Sequence, residues 1–272
     1  MRIDQSAVDL ALARAVIYRA LAIGLQSPTA DSLVRLGSDS AKEAIREAAQ
    51  FLDRARLPTK PLLPVVQLLR DGEISTTDLD AGYTRLFGHT ARGLVCPCET
   101  EYGPEGGFQQ PQQLADLAGY YRAFGLQTRP GSDQRVDHVS CECEFMEFLC
   151  CKEAFSGERL QEARETGPRD ETLQQTRLAE ASFLHDHLGR VGRAFGHQLV
   201  KEDEDGFFGH VGHVLLRFLD FECELLGVEA GPASLSVRTG QEDGVPAACG
   251  TGESLIQIRR HDDYGCAEQR TE

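Results

Sequence analysis

The sequence lacks the short motifs that mark many nucleotide-dependent and hydrolytic enzymes. It contains no glycine-rich loop ending in Lys-Ser or Lys-Thr, no Gly-x-Gly-x-x-Gly after a strand pattern and no Gly-x-Ser-x-Gly elbow. Such motifs hold phosphate groups on backbone amides or expose a serine nucleophile. The sequence therefore gives no indication of catalysis, and we predict that the protein is not an enzyme.

Long apolar runs are missing as well. No stretch approaches the ~18–20 uninterrupted apolar residues that cross a bilayer as a helix. Residues 1–6 also lack the apolar core of a signal peptide. We therefore expect a cytoplasmic protein without stable insertion into a membrane.

Positive charge is scarce relative to negative charge. Lys and Arg number 28 against 43 Asp and Glu, which gives a formal net charge of −15. A surface of this sign repels nucleic acid and anionic lipid, and it attracts cationic ligands. The balance excludes nucleic acid as a partner and favours a basic peptide.

The cysteines do not form the pattern of a disulfide framework. There are nine, an odd number, and they include the adjacent pair Cys150-Cys151. Small disulfide-stapled domains use even numbers at regular spacings in oxidising compartments. We expect free thiols in a reducing compartment.

A metal site is the main alternative for these cysteines. The pairs Cys96/Cys98 and Cys141/Cys143 would supply four thiolates if the two segments met. One-residue spacing on a helix, however, turns the two side chains roughly 200° apart, whereas zinc sites normally have two to four intervening residues. We predict no metal and no cofactor, and a cysteine-based metal-binding or redox-sensing protein remains the alternative.

Histidine pairs give no better ligand set. His185 and His187 have the same one-residue spacing, and His210 with His213 lacks an evident third ligand. Capping or surface roles are the simpler interpretation of these histidines.

What the sequence does have is helical periodicity and enough apolar residues, 41%, to bury a core. Ser6 is the expected N-cap of a first helix with Val8, Leu12 and Val16 on its apolar face. Ser40 is expected to cap another helix from Ala41. These patterns predict an all-α protein.

A linker-like segment predicts where the helices divide into lobes. Residues 129–133, Arg-Pro-Gly-Ser-Asp, have turn composition. We predict an N-terminal lobe at 1–127, a hinge at 128–137 and a C-terminal lobe at 138–228. The helix that opens the second lobe is predicted from about Asp137 to Phe155, before a polar, turn-like stretch at 157–169. Residues 229–272 are predicted to be a mostly disordered tail, with a short strand indicated only at Leu255–Ile258.

The segment Val95–Gly103 lies between two helical patterns and contains ionisable side chains. Pro97 fixes its own φ and disfavours helix at Cys96, so the segment is predicted to be a rigid, non-helical loop. It holds two carboxylates, Glu99 and Glu101. The alternative is an ordinary surface connection between helices.

Six segments of the sequence form an ordered set with characteristic spacing: Tyr83–Phe87, Cys96–Gly103, Leu114–Leu126, Asp137–Val139, Glu142–Met146 and Phe183–Leu188. In order and spacing this set resembles the TorD/DmsD/NarJ family of cytoplasmic molybdoenzyme-assembly chaperones. The likeness extends over roughly residues 8 to 227 and leaves the tail unmatched. It implies a TorD-like helical bundle of about nine to eleven helices in two lobes.

The resemblance also implies a function. Such proteins bind the N-terminal, often twin-arginine, leader of the catalytic subunit of a molybdenum-containing oxidoreductase until its cofactor is inserted. Carried over by position, the peptide-binding residues are Tyr83, Phe87, Pro97, Glu99, Glu101, Tyr102, Asp137, His138, Glu142, Glu144 and Phe145. In this interpretation the loop carboxylates bind the arginines of the leader. A structural adaptor for a non-exported reductase is a further alternative, and both a monomer and a homodimer remain open.

Overall fold

The computed structural model describes residues 5–55, 57–71, 76–88, 93–103, 110–128, 134–163, 168–238 and 259–260. Within these ranges the chain forms ten α-helices, which confirms the predicted all-α fold. They are α1 (Gln5–Leu25), α2 (Ala30–Gly37), α3 (Asp39–Asp53), α4 (Leu63–Asp71), α5 (Thr76–Phe87), α6 (Gln110–Ala123), α7 (Val139–Ala163), α8 (Pro168–Phe183), α9 (Gly189–Glu202) and α10 (Phe207–Leu226).

Short irregular elements complete the description. A 3₁₀ turn covers Glu99–Glu101, and a π-helical turn at Leu184–Leu188 joins α8 to α9. Two-residue strands, β1 (Leu126–Gln127) and β2 (Arg259–Arg260), pair antiparallel. No helix of the described residues is long and apolar enough to cross a membrane.

Helix α1 is the centre of the bundle. It packs along α7, α3 and α10, and α10 packs in turn on α9 and α4. Buried alanines on α1, such as Ala11 and Ala15, permit the close approach of its neighbours. One apolar core runs through residues of both predicted lobes. The two-lobe division with a hinge at 128–137 stays a prediction.

The predicted start of α1 and the predicted burial of Leu12 are wrong. Ser6 lies inside the helix rather than at its N-cap, because helix is already present at Gln5. Leu12 is 43% exposed, whereas Ala11 and Tyr18 are buried. Nearly every side of α1 meets another helix, so the apolar period alone does not identify the outer face.

Other helix boundaries also differ from the predictions. Ser38, not Ser40, caps α3, and its hydroxyl accepts from the amide of Ala41. Helix α7 continues to Ala163, well past the predicted end at Phe155. Local cap and turn signals are short, and packing of α7 along α1 and α8 overrides them.

The C-terminal segment begins where Gly227 ends α10 in the left-handed conformation, at φ 66°. Residues 229–238 then run across the segment Val95–Gly103, which is described below. The rest of the predicted tail, including the strand expected at Leu255–Ile258, lies outside the described residues apart from β2. The prediction that the tail is mostly disordered is not tested by this placement.

Candidate functional site

The loop Val95–Gly103 is buried between helices rather than exposed on the surface. The carbonyl of Pro97 accepts a hydrogen bond of 2.9 Å from the amide of Val139, the first residue of α7. The amide of Glu99 donates to the carbonyl of Asp137 at 2.8 Å. These bonds dock the loop on the start of α7, and the 3₁₀ turn corrects the prediction that the loop is wholly non-helical.

The carboxylate of Glu99 is occupied by groups of the same chain. Its Oε1 accepts from Nη2 of Arg190 at 2.6 Å, and its Oε2 lies 3.1 Å from Nδ1 of His187. Glu99 is 1% exposed, whereas the side chain of Arg190 is 34% exposed. In this conformation a ligand reaches Glu99 only after Arg190 moves.

Arg135 joins the other two carboxylates of the site. Its Nη1 donates to Glu101 at 2.7 Å, and its Nε and Nη2 donate to Asp137 at 2.9 and 2.8 Å. Asp137 also accepts from the amide and hydroxyl of Thr100, which fixes the 3₁₀ turn. Arg135 and Glu101 are partly exposed, at 19% and 24%, so this pair faces solvent. We call Glu99, Glu101, Arg135, Asp137 and Arg190 the loop cluster.

Two predicted site residues behind the loop are buried with unsatisfied polar atoms. Neither carboxyl oxygen of Glu142 has a hydrogen-bond partner among the described residues, nor does Nε2 of His138. Burial, with the charges of Glu99 and Asp137, raises the pKa of Glu142 well above its usual value. Burial lowers the pKa of His138 to about 4. His138 is therefore neutral at pH 7, and burial favours the protonated form of Glu142.

The remaining predicted residues lie in separate environments. Tyr83 and Phe87 pack in an aromatic group with Phe208 of α10. Glu144 accepts from Gln26, which directly follows α1, and burial raises the pKa of Glu144 to about 8.

Phe145 and Tyr102 complete the set. Phe145 packs edge to face on Phe183, and Tyr102 donates from its hydroxyl to the carbonyl of Cys96 at 2.7 Å. The structure thus brings together Pro97, Glu99, Glu101, Tyr102, Asp137 and His138, with Glu142 behind them.

Sequence reasoning missed the cations that hold these carboxylates. Arg135 lies between the linker and Asp137, but no local pattern distinguishes it from other arginines. His187 was interpreted as a capping or surface residue, and this is wrong, since it is buried beside Glu99. The only signal for His187 was its place in the segment Phe183–Leu188 of the family resemblance. His185, by contrast, is exposed as expected.

A second polar cluster, which sequence reasoning did not anticipate, lies in the core. Arg14 of α1 is 2% exposed and donates to Glu153 of α7, Glu180 of α8 and Glu222 of α10, each within 2.9 Å. The hydroxyl of Tyr18 donates to Glu222 as well. We call Arg14 with its three glutamates the Arg14 cluster. It ties four helices together at one point.

Within the described residues, the cysteines show no arrangement suited to a metal. The seven in the described residues are free thiols, and no group of three or more Cys, His, Asp or Glu there has the geometry of a metal site. Burial raises the pKa of Cys141, Cys143 and Cys150, which keeps these thiols protonated and unreactive. The prediction that the purified protein is metal-free is left for metal analysis.

Comparison with known proteins places these features in a family. The family model described as nitrate reductase delta subunit matches residues 37–195, more than half of the chain and the part that contains the loop cluster. The chaperone protein TorD of Photobacterium profundum is 24% identical over 173 residues, which cover 63% of this chain and 75% of that protein.

A perchlorate reductase assembly chaperone protein of Dechloromonas aromatica is also similar. It is 28% identical over 153 residues, which cover 54% of this chain and 64% of that protein. No solved structure matches. The family match spans α3 to α9 and agrees with the all-helical fold. The chain belongs to the nitrate reductase delta subunit family, which includes the TorD-type chaperones.

Proposed function

We propose that this protein is a cytoplasmic chaperone that binds the N-terminal leader, of the twin-arginine type, of the catalytic subunit of a molybdenum-containing oxidoreductase. It keeps that subunit competent for cofactor insertion before export. The observation that carries the proposal is the family match over residues 37–195, because that region includes the acidic loop and the helix on which it docks.

The geometry of the loop cluster supports binding by exchange of cations. A leader arginine that replaces Arg135 at Glu101, or Arg190 at Glu99, keeps the charge of the site unchanged. Such an exchange avoids leaving a carboxylate buried without a counterion, which is the costly outcome. Glu101 is the accessible carboxylate, so it is the first contact, and Glu99 follows once Arg190 has turned into solvent.

The buried residues of the predicted site have a supporting role in this proposal. Asp137 holds Arg135 and the 3₁₀ turn, while buried Glu142 and His138 fill the space behind the loop. Tyr83 and Phe87 remain candidates for contact with the apolar part of a leader, and Tyr83 is the more exposed of the two.

The first test is co-purification with a candidate molybdoenzyme catalytic subunit, with and without its leader. We expect the full-length subunit to co-purify and the leaderless subunit to be lost. If the two are retained equally, the leader is not the recognised element, and the alternative of a structural adaptor for a non-exported reductase is favoured.

The second test measures the charge contribution of Glu101 by calorimetry against the leader peptide at low and physiological salt. Glu101→Gln should weaken binding by about 1–3 kcal/mol and flatten its salt dependence, because a charged hydrogen bond is lost. Glu224→Gln makes the same charge change on the exposed side of α10 and should leave both quantities unaltered. Equal behaviour of the two variants contradicts a role for Glu101 in binding.

A further inference from the structure

The segment 229–238, here called the strap, is bound to the backbone edge of the loop. The amide of Gly103 donates to the carbonyl of Ser236 at 2.9 Å, and the amide of Arg238 donates to the carbonyl of Glu101 at 2.8 Å. Val237 lies opposite Tyr102 as an antiparallel β-bridge. The strap therefore adds one short strand to the loop that carries Glu99 and Glu101.

The path of the strap depends on a glycine. Gly231 crosses the first turn of α9 so closely that a Cβ would collide with the carbonyl oxygen of Gly189 and lie 2.6 Å from that of Arg190. Both neighbours are backbone atoms of a helix and cannot give way as a flexible side chain can. Only glycine at position 231 lets the strap cross over Arg190, whose guanidinium donates to Glu99.

The strap is held by main-chain and side-chain contacts. Leu235 packs against the edge of the core, while Ser236 and Val237 are exposed. The Arg238 guanidinium has two buried nitrogens, and its Nη2 reaches Oε1 of Gln113 on α6 at 3.5 Å. The two main-chain hydrogen bonds to the loop do not depend on side-chain identity, so the same edge accepts another extended peptide with suitable side chains.

We infer that the edge Glu101–Gly103 is a strand-addition site for an extended cationic peptide, and that the strap occupies it until such a peptide arrives. The strap shows which side chains the edge accepts: an apolar residue where Leu235 lies, followed three residues later by an arginine where Arg238 lies. The inference rests on the proposed function in identifying that peptide with the leader of the client subunit.

The covalent link makes the strap a permanent competitor. It begins directly after α10, so its effective concentration at the edge is high, on the order of millimolar for a short tether. A peptide then binds with an apparent affinity reduced by the small fraction of molecules in which the edge is free. When the leader dissociates, the strap returns to the edge, which hinders rebinding and so favours release of the client.

Amide hydrogen exchange tests the position of the strap in the full-length protein. The amides of Gly103 and Arg238 should be protected in the wild type and in Gly119→Ala, a control because a Cβ at Gly119 meets nothing within 4 Å. Gly231→Ala should remove the protection of both. If both amides stay protected in Gly231→Ala, the variant Arg238→Pro is measured next, because proline has no N–H to donate to the carbonyl of Glu101. Continued protection of the Gly103 amide in Arg238→Pro overturns the inference.

A fluorescent peptide that copies residues 233–238 tests the edge as a binding site. It should bind Gly231→Ala at least about tenfold more tightly than wild type or Gly119→Ala, because the tethered competitor has been displaced. The same peptide with proline in place of its arginine should not bind. Equal affinity for all three proteins, or no binding to a variant whose Gly103 amide is unprotected, overturns the inference.

The leader peptide of a candidate client separates this inference from the proposed function. If the leader binds wild type, Gly119→Ala and Gly231→Ala with one affinity, the strand-addition site is wrong and the chaperone function stands. If the peptide copy binds Gly231→Ala and no leader does, the edge is a peptide site and the proposed function fails.

Discussion

The Arg14 cluster and the loop cluster are built from the same chemistry but differ in their access to solvent. Arg14 and the carboxylates of Glu180 and Glu222 are at most 2% exposed, and one sealed guanidinium serves three helices. In the loop cluster the two cations, Arg135 and Arg190, are 19% and 34% exposed. A sealed pair cannot change partners without unfolding, whereas a pair at the surface can. The first cluster therefore stabilises the fold, and the second is suited to binding.

The two clusters also differ in charge balance. Arg14 faces three glutamates, and burial raises the pKa of Glu180 to about 7 despite the opposing effect of Arg14. The outer partner Arg177, 38% exposed, compensates part of Glu153. In the loop cluster each arginine has a carboxylate within 2.8 Å. The core cluster thus has one sealed cation, Arg14, for three carboxylates, whereas both cations of the loop cluster are partly exposed.

The largest expected effect follows from removing the cation of the Arg14 cluster. Arg14→Met leaves three buried carboxylates on α7, α8 and α10 without their shared cation. Removing one partner of a buried ion pair lowers the free energy of unfolding by about 3–5 kcal/mol. Urea unfolding should show this loss, or a protein that no longer folds. Arg19→Met is the matched control on the same helix, since Arg19 is 60% exposed and pairs with Glu147 at the surface. It should cost at most about 1 kcal/mol. Similar losses of unfolding free energy in Arg14→Met and Arg19→Met would contradict the conclusion that the Arg14 cluster stabilises the fold.

Glu142 behind the loop should make stability fall as pH rises. Its pKa is raised in the folded protein, so its contribution is fully present below pH 4.5 and is lost as the pH rises through the folded pKa. Glu142→Gln removes the ionisation without removing the side-chain volume. We expect it to increase the free energy of unfolding at pH 8, by about 1.4 kcal/mol for each pH unit below 8 over which the wild-type carboxyl is protonated only in the folded state, and to change it little at pH 5.

Urea unfolding at the two pH values measures this difference, with Glu224→Gln as an exposed control. Glu99→Gln should act with the opposite sign at pH 8, because it weakens the contact with Arg190. A Glu142→Gln protein that is less stable at pH 8 than wild type indicates that the carboxylate has a counterion that is essential to the fold.

The smallest effect is expected at the open side of the loop cluster. Arg190→Met leaves Glu99 beside His187, so the loss of stability should be about 1–3 kcal/mol and below that of Arg14→Met. Hydrogen exchange should localise the change to the amides of Glu99 and Val139, which dock the loop on α7. Loss of protection throughout α1 and α10 instead indicates that the two clusters form one unit.

The sequence predicted the helical fold well where one face of a helix meets solvent. The buried face of α7, with Val139, Cys143, Met146 and Cys150, followed the expected period. Helix α1 departs from its predicted buried face at Leu12, which is exposed. The burial of Arg14 was not predicted. Its partners lie 139 to 208 residues away in the chain, and no local pattern records such a pairing.

Part of the predicted peptide-binding set meets in the structure, its internal pairing was not predicted, and its role in binding stays a prediction. The spacing of Cys96–Gly103 and Asp137–His138 identified a loop and a helix start that do meet. The interpretation that Glu99 is available to a ligand overlooked Arg190, which is 91 residues away. Composition counts carboxylates, and only the folded chain shows which of them already have a cation.

The π-helical turn at Leu184–Leu188 has a consequence for both clusters at once. An extra residue in a helical turn rotates everything after it by about 100° relative to everything before it. Helix α8 supplies Glu180 to the core, and α9 supplies Arg190 to the loop. The π-helical turn thus sets the rotation of α9 relative to α8 within one continuous helical segment, Pro168–Glu202. Deleting exposed Asp186 would restore a regular α-helix and rotate α9 relative to α8. Glu180 and Arg190 could then no longer reach Arg14 and Glu99 at the same time.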